Sequence, residues 1–450
     1  MKKEFNMSAI NQDETAAFRA AFLANDKQRA LQRAVWKNGI KASAENEAAV
    51  VENTPLFSLD LATGKVANQK KSGRCWMFAA LNTVRHQMTT NFQLKDFELS
   101  QNYTYFWDKY EKANYFYDNI IATAQEPVTS RKVAFLLATP QQDGGQWDMV
   151  VSLFKKYGMV PKTAMPETAS SENSSELNAT LNQLLRKQAI TLRHLVANQA
   201  SADDIDQHRQ AFLQDVYNVL AMSLGLPPEH FDFEFRDTEG NFVHEKAMTP
   251  QAFFEKYGRM DFDDYVSIIN APTADKPFMQ TYTVDMLGNV VDGKPVKYLN
   301  LPMSELKELA LKQLQAGESV WFGCDVGQSS IRDKGIMAAN AYDLNALFDV
   351  DFDMTKAQRL AYGESMMTHA MVLTGADLVD QVPTKWKVEN SWGDKVGADG
   401  FFVMSDAWMD QYTYQIVVRK DLLSTQQQAA LATEPKVLGP WDPMGALANN

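Results

Sequence analysis

The strongest constraint in the sequence is a junction where a polar loop gives way to a helix, with a cysteine at the boundary. Residues 69–74 (QKKSGR) are polar and contain Ser-Gly, which is typical of a loop. Beyond Cys75 the apolar residues recur at three- and four-residue spacing, which predicts a helix; they are Met77, Ala80, Leu81, Val84 and Met88. Cys75 is therefore expected at or next to a helix N-terminus, where the helix dipole, Arg74 and two loop lysines favour a thiolate.

The chain has only two cysteines, Cys75 and Cys324, which lie 249 positions apart and make no disulfide framework. Cys324 stands in an apolar, strand-like run, residues 318–326 (ESVWFGCDV). Burial and the adjacent carboxylate both disfavour a thiolate there, so we interpret Cys324 as a core residue. Taken alone, Cys75 also fits a small buried side chain better than a nucleophile. A second group, able to act as a base, is needed to separate the two interpretations.

His369 is the histidine with the most suitable surroundings for that base. It stands in a β-type run, residues 366–375 (MMTHAMVLTG), and Asn390 follows 21 positions later in a second short strand, residues 386–393 (WKVENSWG). Two strands joined by a turn can bring the two side chains together, so that the amide oxygen accepts a hydrogen bond from one imidazole nitrogen. The other nitrogen then points at the thiol, which is the arrangement of a Cys-His-Asn triad.

Three motifs, in this order, resemble those of the papain-like cysteine peptidases. They are Gln-x5-Cys-Trp at 69–76, His-Ala-x-Val-Leu-x-Gly at 369–375 and Asn-Ser-Trp-Gly at 390–393. Each motif is weak to moderate alone, but together they favour a nucleophilic cysteine over a structural one. The resemblance implies three catalytic residues, namely Cys75, His369 and Asn390.

The same resemblance implies roles for residues around these three. The side-chain amide of Gln69 would join the backbone N–H of Cys75 in an oxyanion hole, and Trp392 would shield the histidine–asparagine hydrogen bond from water. Gly144 and Gly145, in a segment that reads DGGQW, would bind the substrate backbone in the manner of an added strand.

Further segments are similar to the bleomycin hydrolase/aminopeptidase C branch of this family. Cys75 and His369 are 294 positions apart, far more than the roughly 130–150 typical of papain, so about 150 residues are inserted. Residues 319–326 and 440–448 carry the similarity to this branch, which extends over essentially the whole chain. It implies a homohexamer whose active sites face an internal cavity, with peptides as substrates.

In this branch the C-terminal arm lies in the cleft, and its carboxylate holds the free α-amino group of the substrate. For this chain the resemblance implies that Ala448 binds the substrate. The chain departs from the pattern there, because Asn449 and Asn450 follow and shift the carboxylate by at most about 7 Å. We interpret the chain as an intracellular cysteine aminopeptidase that removes N-terminal residues through a thioester intermediate. The alternative is an oligoendopeptidase of the same family that cuts short peptides internally.

The expected fold class is α+β, a papain-like two-lobed cysteine peptidase with a large, mainly helical insertion and a C-terminal arm. The expected segments are an N-terminal arm (1–60), a helical lobe with the catalytic cysteine (61–165), the insertion (166–300), a β-rich lobe with the catalytic histidine and asparagine (301–425) and the C-terminal arm (426–450).

Within the insertion, the sequence predicts two helices and a strand. Residues 173–176 (NSSE) have the pattern of a capping box and predict a helix start. A second helix is predicted near Asp204 to Leu224, ended by the Gly-Leu-Pro-Pro that follows. Residues 231–235 (FDFEF) alternate as a strand does.

Composition excludes several other functions. No run approaches the roughly 18 apolar residues of a membrane span, and the N-terminus has no apolar signal region. The formal net charge of −12 makes nucleic acid an unlikely partner. No zinc-ligand spacing or phosphate loop is found, so no metal and no cofactor are expected. A non-catalytic scaffold has no support, because every catalytic position is occupied, and we expect a cytoplasmic enzyme.

Overall fold

The structure is a computed structural model that describes residues 8–94, 97–258 and 260–445. Among these residues, no helix is both long enough and apolar enough to cross a membrane. The helices described are α1 (Gln12–Ala24), α2 (Asp26–Asn38), α3 (Ile40–Ala44), α4 (Glu47–Glu52), α5 (Cys75–Phe92), α6 (Gln101–Ala122), α7 (Arg131–Ala138), α8 (Trp147–Tyr157), α9 (Ala169–Glu172), α10 (Ser175–Ala197), α11 (Ala202–Leu224), α12 (Pro250–Tyr257), α13 (Met303–Gln315), α14 (Leu344–Phe348), α15 (Lys356–Tyr362), α16 (Asp406–Tyr412) and α17 (Thr425–Leu431).

Most of the strands belong to one large sheet. The strands described are β1 (Leu59–Asp60), β2 (Phe231–Arg236), β3 (Phe242–Met248), β4 (Tyr265–Ile269), β5 (Gln280–Val284), β6 (Tyr298–Asn300), β7 (Val320–Cys324), β8 (Ser330–Ile331), β9 (Ile336–Met337), β10 (His369–Val379), β11 (Val382–Glu389), β12 (Phe401–Ser405), β13 (Thr413–Arg419) and β14 (Lys436–Leu438). The order in the large sheet is β14-β5-β6-β4-β13-β7-β10-β11-β12-β9-β8, with β1 also on β10, while β2 and β3 form a separate hairpin. The α+β class expected from the sequence is confirmed.

Strand β10 lies between β7 and β11, and both neighbours run antiparallel to it. In this register His369, the first residue of β10, pairs with Cys324, the last residue of β7. Val372 pairs with Glu389, the last residue of β11, so the residue that follows β11 comes close to the start of β10. The hairpin of β10 and β11 therefore brings His369 and Asn390 to the same end of the sheet.

Helix α5 begins at Cys75, as the sequence predicts, and packs against β7 and β10. Every residue from Cys75 to His86 is buried. The buried surface of the helix is therefore wider than the apolar stripe from which the helix is predicted. The indole N–H of Trp321 on β7 donates to the backbone carbonyl of Trp76 at 3.0 Å and fixes the start of the helix against the sheet.

Around α10, the start of the helix is as predicted, but the predicted cap is wrong. The helix begins at Ser175, yet the Ser174 side chain makes no capping bond. Its hydroxyl donates to the buried carboxylate of Asp143 at 2.5 Å, a charge-assisted bond that fixes the orientation of this side chain. The second helix, α11, and the strand β2 are confirmed.

The large sheet separates two hydrophobic cores. One core joins α5, α6, α8, α10 and α11 to one side of the sheet, and the other lies around α13 and α16. Strands β4, β5 and β6 lie in the range 166–300 assigned to the insertion, yet they pair within the large sheet. The division into five segments remains a prediction. Cys75 belongs to the first core and Cys324 to the second, which places the region around His369 between them.

Candidate active site

Cys75 is the first residue of α5, and only 1% of its surface is exposed. Burial raises the pKa of its thiol to about 12, although the backbone N–H groups of Ala370, Trp76 and Cys75 itself act in the opposite direction. Burial thus opposes the thiolate that the sequence predicts at Cys75, and the protonation state of this residue remains a prediction. Arg74 does not offset burial, because its guanidinium is paired with Glu167 at 2.9 Å.

His369 and Asn390 form the hydrogen bond that the sequence motifs suggest. Nε2 of His369 lies 3.0 Å from Oδ1 of Asn390, which leaves Nδ1 on the opposite edge of the ring. The ring of Trp392 lies 5.1 Å from the imidazole, centroid to centroid, at an angle of 36°. Burial lowers the pKa of His369 to about 4; the bond to Asn390 opposes this shift and the charge of Arg332 adds to it.

Cys75 and His369 are brought together by the packing of α5 on β10. The backbone N–H of Ala370, the residue after His369, lies close enough to the sulfur to act against the rise in the pKa of the Cys75 thiol. Burial favours the neutral thiol and the neutral imidazole when each is considered alone. Transfer of the proton from one to the other creates two opposite charges that stabilise each other, so the two groups act chemically as one unit.

Gln69 is bonded to Ser391, the residue that follows Asn390. Its backbone N–H donates to the carbonyl of Ser391 at 2.8 Å, and its side-chain oxygen accepts from the Ser391 hydroxyl at 2.5 Å. The amide nitrogen donates one hydrogen to the carbonyl of Ser72 at 2.6 Å. These bonds hold the side chain in the loop just before Cys75, the position that an oxyanion donor needs.

Gly144 and Gly145 lie against the first turn of α5. The carbonyl of Gly144 accepts from the buried ammonium of Lys112 at 2.6 Å. A Cβ added at Gly145 would lie 2.6 Å from the ring of Trp76, far inside van der Waals contact. Glycine at this position lets the backbone approach the helix that carries Cys75.

The described part of the C-terminal arm ends beside these glycines. The amide of Gln146 donates to the carbonyl of Gly445 at 2.6 Å, and the hydroxyl of Tyr298 donates to that of Met444 at 3.1 Å. The backbone N–H of Met367, two residues before His369, donates to the carbonyl of Pro443 at 3.3 Å. The arm thus lies between the two sides of the site, while Ala448, Asn449 and Asn450 fall outside the described residues.

Sequence reasoning missed a buried acid that fastens the loop before Cys75. The carboxylate of Asp143 accepts from the backbone N–H of Gly73 at 2.9 Å and from the side chains of Ser174 and Asn178. The ammonium of Lys109 lies 3.0 Å from the same carboxylate. Burial alone would raise the pKa of Asp143, but Lys109 and these donors hold it well below its usual range. No local pattern signals this role, because the partners come from three distant segments.

A second missed group lies directly behind Asn390. Glu389 is fully buried; one carboxylate oxygen lies 2.6 Å from Arg85, and the other lies 2.9 Å from Nε2 of His86. Burial opposes ionisation, but His86 and Arg85 outweigh it and lower the pKa of Glu389. His86 is therefore a partner of Glu389, and Nδ1 of the same ring is bonded to the hydroxyl of Ser319 at 2.9 Å.

Within residues 8–94, 97–258 and 260–445, no group of three or more His, Cys, Asp and Glu side chains could hold a metal ion. Cys324 is buried, and burial and the adjacent Asp325 raise the pKa of its thiol well above the ordinary value. The second cysteine therefore lies in the core, as the sequence predicts.

The chain is similar to known proteins over nearly its whole length. Residues 9–445 match the model of the Peptidase C1-like family. Aminopeptidase C of Streptococcus thermophilus is 58% identical over 98% of this chain and 100% of its own length. Aminopeptidase C of Lactococcus lactis subsp. cremoris is 53% identical over the same shares.

A solved structure gives the same result. The crystal structure of PepW from Lactobacillus rhamnosis HN001 superposes with a TM-score of 0.97 at 59% identity, and the match covers 98% of this chain and 100% of that one. Identity of this level over full length shows the family as well as the fold. The chain belongs to the Peptidase C1-like family and is a papain-like cysteine peptidase of the aminopeptidase C type.

Proposed function

We propose that this enzyme removes N-terminal residues from peptides through a thioester formed on Cys75. The observation that carries the proposal is the 3.0 Å hydrogen bond between His369 and Asn390, at the end of the strand whose next N–H contacts the Cys75 sulfur. A nucleophile, a base and a group that orients the base are thereby on adjoining elements. The relatives named aminopeptidase C support the same activity.

In the first half of the reaction, the thiol proton passes to Nδ1 of His369 as the Cys75 sulfur attacks the carbonyl carbon. Asn390 holds the imidazole through Nε2, so that Nδ1 faces the thiol. The backbone N–H of Cys75 and the amide of Gln69 donate to the oxyanion that forms. A single donor of this kind contributes about 3–4 kcal/mol to catalysis.

In the second half, His369 gives its proton to the leaving amine, and the carbon–nitrogen bond breaks to leave a thioester on Cys75. Water then loses a proton to the imidazole and attacks the thioester, which releases the acid product and restores the thiol. Trp392, packed on the imidazole, keeps water from the hydrogen bond to Asn390.

The substrate is held by backbone contacts and by the arm. Gly144 and Gly145 offer a backbone edge beside Trp76, and a side chain there would collide with the indole. The described end of the arm lies beside Gln146, three residues before Ala448, which supports the assignment of Ala448 to the free α-amino group of the substrate. This contact requires an amino group at a fixed distance from the scissile bond and so limits cleavage to the first residue.

We also propose that the enzyme is a homohexamer in the cytoplasm. This part of the proposal rests on the family resemblance. One feature of the N-terminal helices supports an assembly. Ile10 and Trp36 are each 82% exposed and Phe18 is 69% exposed, and α1 and α2 bury none of their own residues. Such apolar exposure is typical of a surface covered by another chain.

The test compares two peptides of one sequence, one with a free amino group and one N-acetylated, on the wild type and on Cys75→Ala. The wild type should release the first residue of the free peptide only. Cys75→Ala should lower kcat by at least about 1,000-fold, because the nucleophile is gone. Cys324→Ala is the matched control, since it removes the other buried thiol, and it should retain turnover.

Full turnover by Cys75→Ala, with thermal unfolding unchanged, contradicts the proposed nucleophile. Internal cleavage of the acetylated peptide by the wild type contradicts the aminopeptidase and supports an oligoendopeptidase. Loss of activity in Cys324→Ala without loss of folding would also count against the assignment.

A further inference from the structure

We propose that Arg332 binds the terminal carboxylate of short peptide substrates, on the side of the cleft through which the leaving amine departs. The proposal rests on the proposed function, because it assumes that peptide bonds are cut between Cys75 and His369. It adds a determinant of substrate length, namely a preference for peptides that end soon after the scissile bond.

Arg332 is held at a fixed place on the rim. It is the first residue of the turn between β8 and β9, which is closed by the N–H of Gly335 donating to its carbonyl at 3.0 Å. The backbone of Gly335 has φ +67°, and a Cβ there would lie 2.4 Å from Cα of Gly397, so the turn is packed tightly on a neighbouring loop. The N–H of Val403 donates to the carbonyl of Gly335 at 2.8 Å and fixes the turn to β12.

The guanidinium lies over the ring that covers the catalytic histidine. The distance from the guanidinium carbon of Arg332 to the ring centroid of Trp392 is 4.4 Å, and that ring lies 5.1 Å from the ring of His369. The positive charge is close enough to His369 to lower its pKa. Stacking on the indole keeps the planar group in one orientation and leaves its N–H edge free.

No carboxylate among the described residues lies within ion-pair distance of Arg332, and its side chain is exposed. Lys334, two residues further along the same turn, gives a contrast. Its ammonium lies 2.7 Å from Glu45 and 3.2 Å from Glu47. Lys334 is therefore already paired with carboxylates of this chain. Arg332, which lies near His369, can bind an anion from outside the chain with its guanidinium.

The substrate brings such an anion to this place. His369 protonates the leaving amine, so the peptide beyond the scissile bond must pass over the imidazole and then over Trp392. One or two residues beyond the bond span about 3–7 Å, after which a short peptide ends in a carboxylate. A guanidinium binds a carboxylate with two parallel hydrogen bonds, which lysine cannot reproduce.

The test uses a tripeptide with a free amino group in two forms, one with a free terminal carboxylate and one with a terminal amide. The wild type should prefer the acid by about 5-fold in kcat/KM, mainly through KM, as an exposed charge pair allows. Arg332→Met retains an apolar side chain over the indole and should bring this ratio to about one. Lys334→Met is the matched control and should leave the ratio as in the wild type.

A third peptide ends in Asp and carries a terminal amide, so it offers a side-chain carboxylate in place of the terminal one. It distinguishes recognition of the chain terminus from recognition of an acidic side chain. A preference for this peptide without a preference for the free acid overturns the proposal in favour of side-chain recognition. An unchanged ratio in Arg332→Met also overturns it, while continued release of the first residue from all peptides keeps the proposed function intact. If the wild type cleaves none of them, it is the proposed function that fails.

Discussion

The two cysteines of this chain are chemically alike until their neighbours are considered. Both are buried, and burial raises the pKa of both thiols. Cys324 stands inside a strand beside Asp325, which adds to the shift. Cys75 stands at a helix start where three backbone N–H groups act on the sulfur, next to the strand that begins at His369. In the proposed mechanism, Cys75 therefore depends on a partner that takes its proton and not on a lowered pKa of the thiol alone.

The pH dependence of kcat/KM should report this pair. The imidazole of His369 must be unprotonated to accept the thiol proton, and burial lowers its pKa from 6.5 to about 4. Activity should therefore persist as the pH falls through 6.5 and be lost only well below it. The measurement is kcat/KM from pH 4 to pH 7 with a peptide amide, because its α-amino group stays largely protonated over this range.

A variant sharpens this measurement. Because the charge of Arg332 contributes to the lowered pKa of His369, Arg332→Met should move the acid limb to higher pH. The same profile from Lys334→Met should coincide with that of the wild type. An acid limb at or above 6.5 in the wild type contradicts the burial argument.

Local sequence pattern predicts where several helices and strands lie, but it does not predict which residues of distant segments they contact. The periodicity after Cys75 predicts α5, and the motif around His369 predicts β10, and both elements are present. The capping pattern before Ser175 predicts a helix start but not that the Ser174 hydroxyl is taken by Asp143. A local pattern cannot reveal a contact with a buried acid that lies 31 positions away.

The stability of the chain around the end of β11 depends on the buried charge of Glu389, which is paired with Arg85. Glu389→Gln should lower the free energy of unfolding by about 3–5 kcal/mol, because Arg85 remains buried beside a partner that has lost its charge. It should also lower kcat/KM, since the next residue along the chain, Asn390, orients His369. Urea denaturation and kinetics on the same preparation measure the two effects.

Glu318→Gln is the matched control for this prediction. It removes the same charge from a half-exposed ion pair with Arg419, and it should cost far less stability. Equal stabilities for the two variants, together with unchanged kcat/KM in Glu389→Gln, would contradict a supporting role for the buried carboxylate.

The whole molecule brings together parts that are far apart in the sequence. The N-terminal half contributes the cysteine helix, the sheet contributes His369, and the last described residues of the arm lie beside Gln146. The fold class and the three motif residues could be predicted from sequence, because each has a local signature. The contacts of Asp143 and Glu389 could not, since their partners come from distant segments of the chain. The place of the arm is expected only from the family resemblance.

An ion pair holds the described part of the C-terminal arm against the rest of the chain. The buried ammonium of Lys276 lies 2.9 Å from Asp442, and the two charges are mostly shielded from water. Lys276→Met should loosen the arm and raise cleavage of an N-acetylated peptide relative to the free one by several-fold. Lys385→Met, which breaks the ion pair with Asp377 on the β10–β11 hairpin, is the control. A ratio unchanged in Lys276→Met would show that this ion pair does not control access to the cleft.

A thioester on Cys75 is the intermediate that the proposed mechanism requires, and it can be trapped during turnover. The enzyme is mixed with an amino-acid ester that has a free amino group, quenched in acid during turnover, digested and analysed by mass spectrometry. We expect an aminoacyl adduct on the peptide that contains Cys75, with Cys324 unmodified in the same digest. An adduct on Cys324 or on any other residue, with Cys75 free during full turnover, would contradict it.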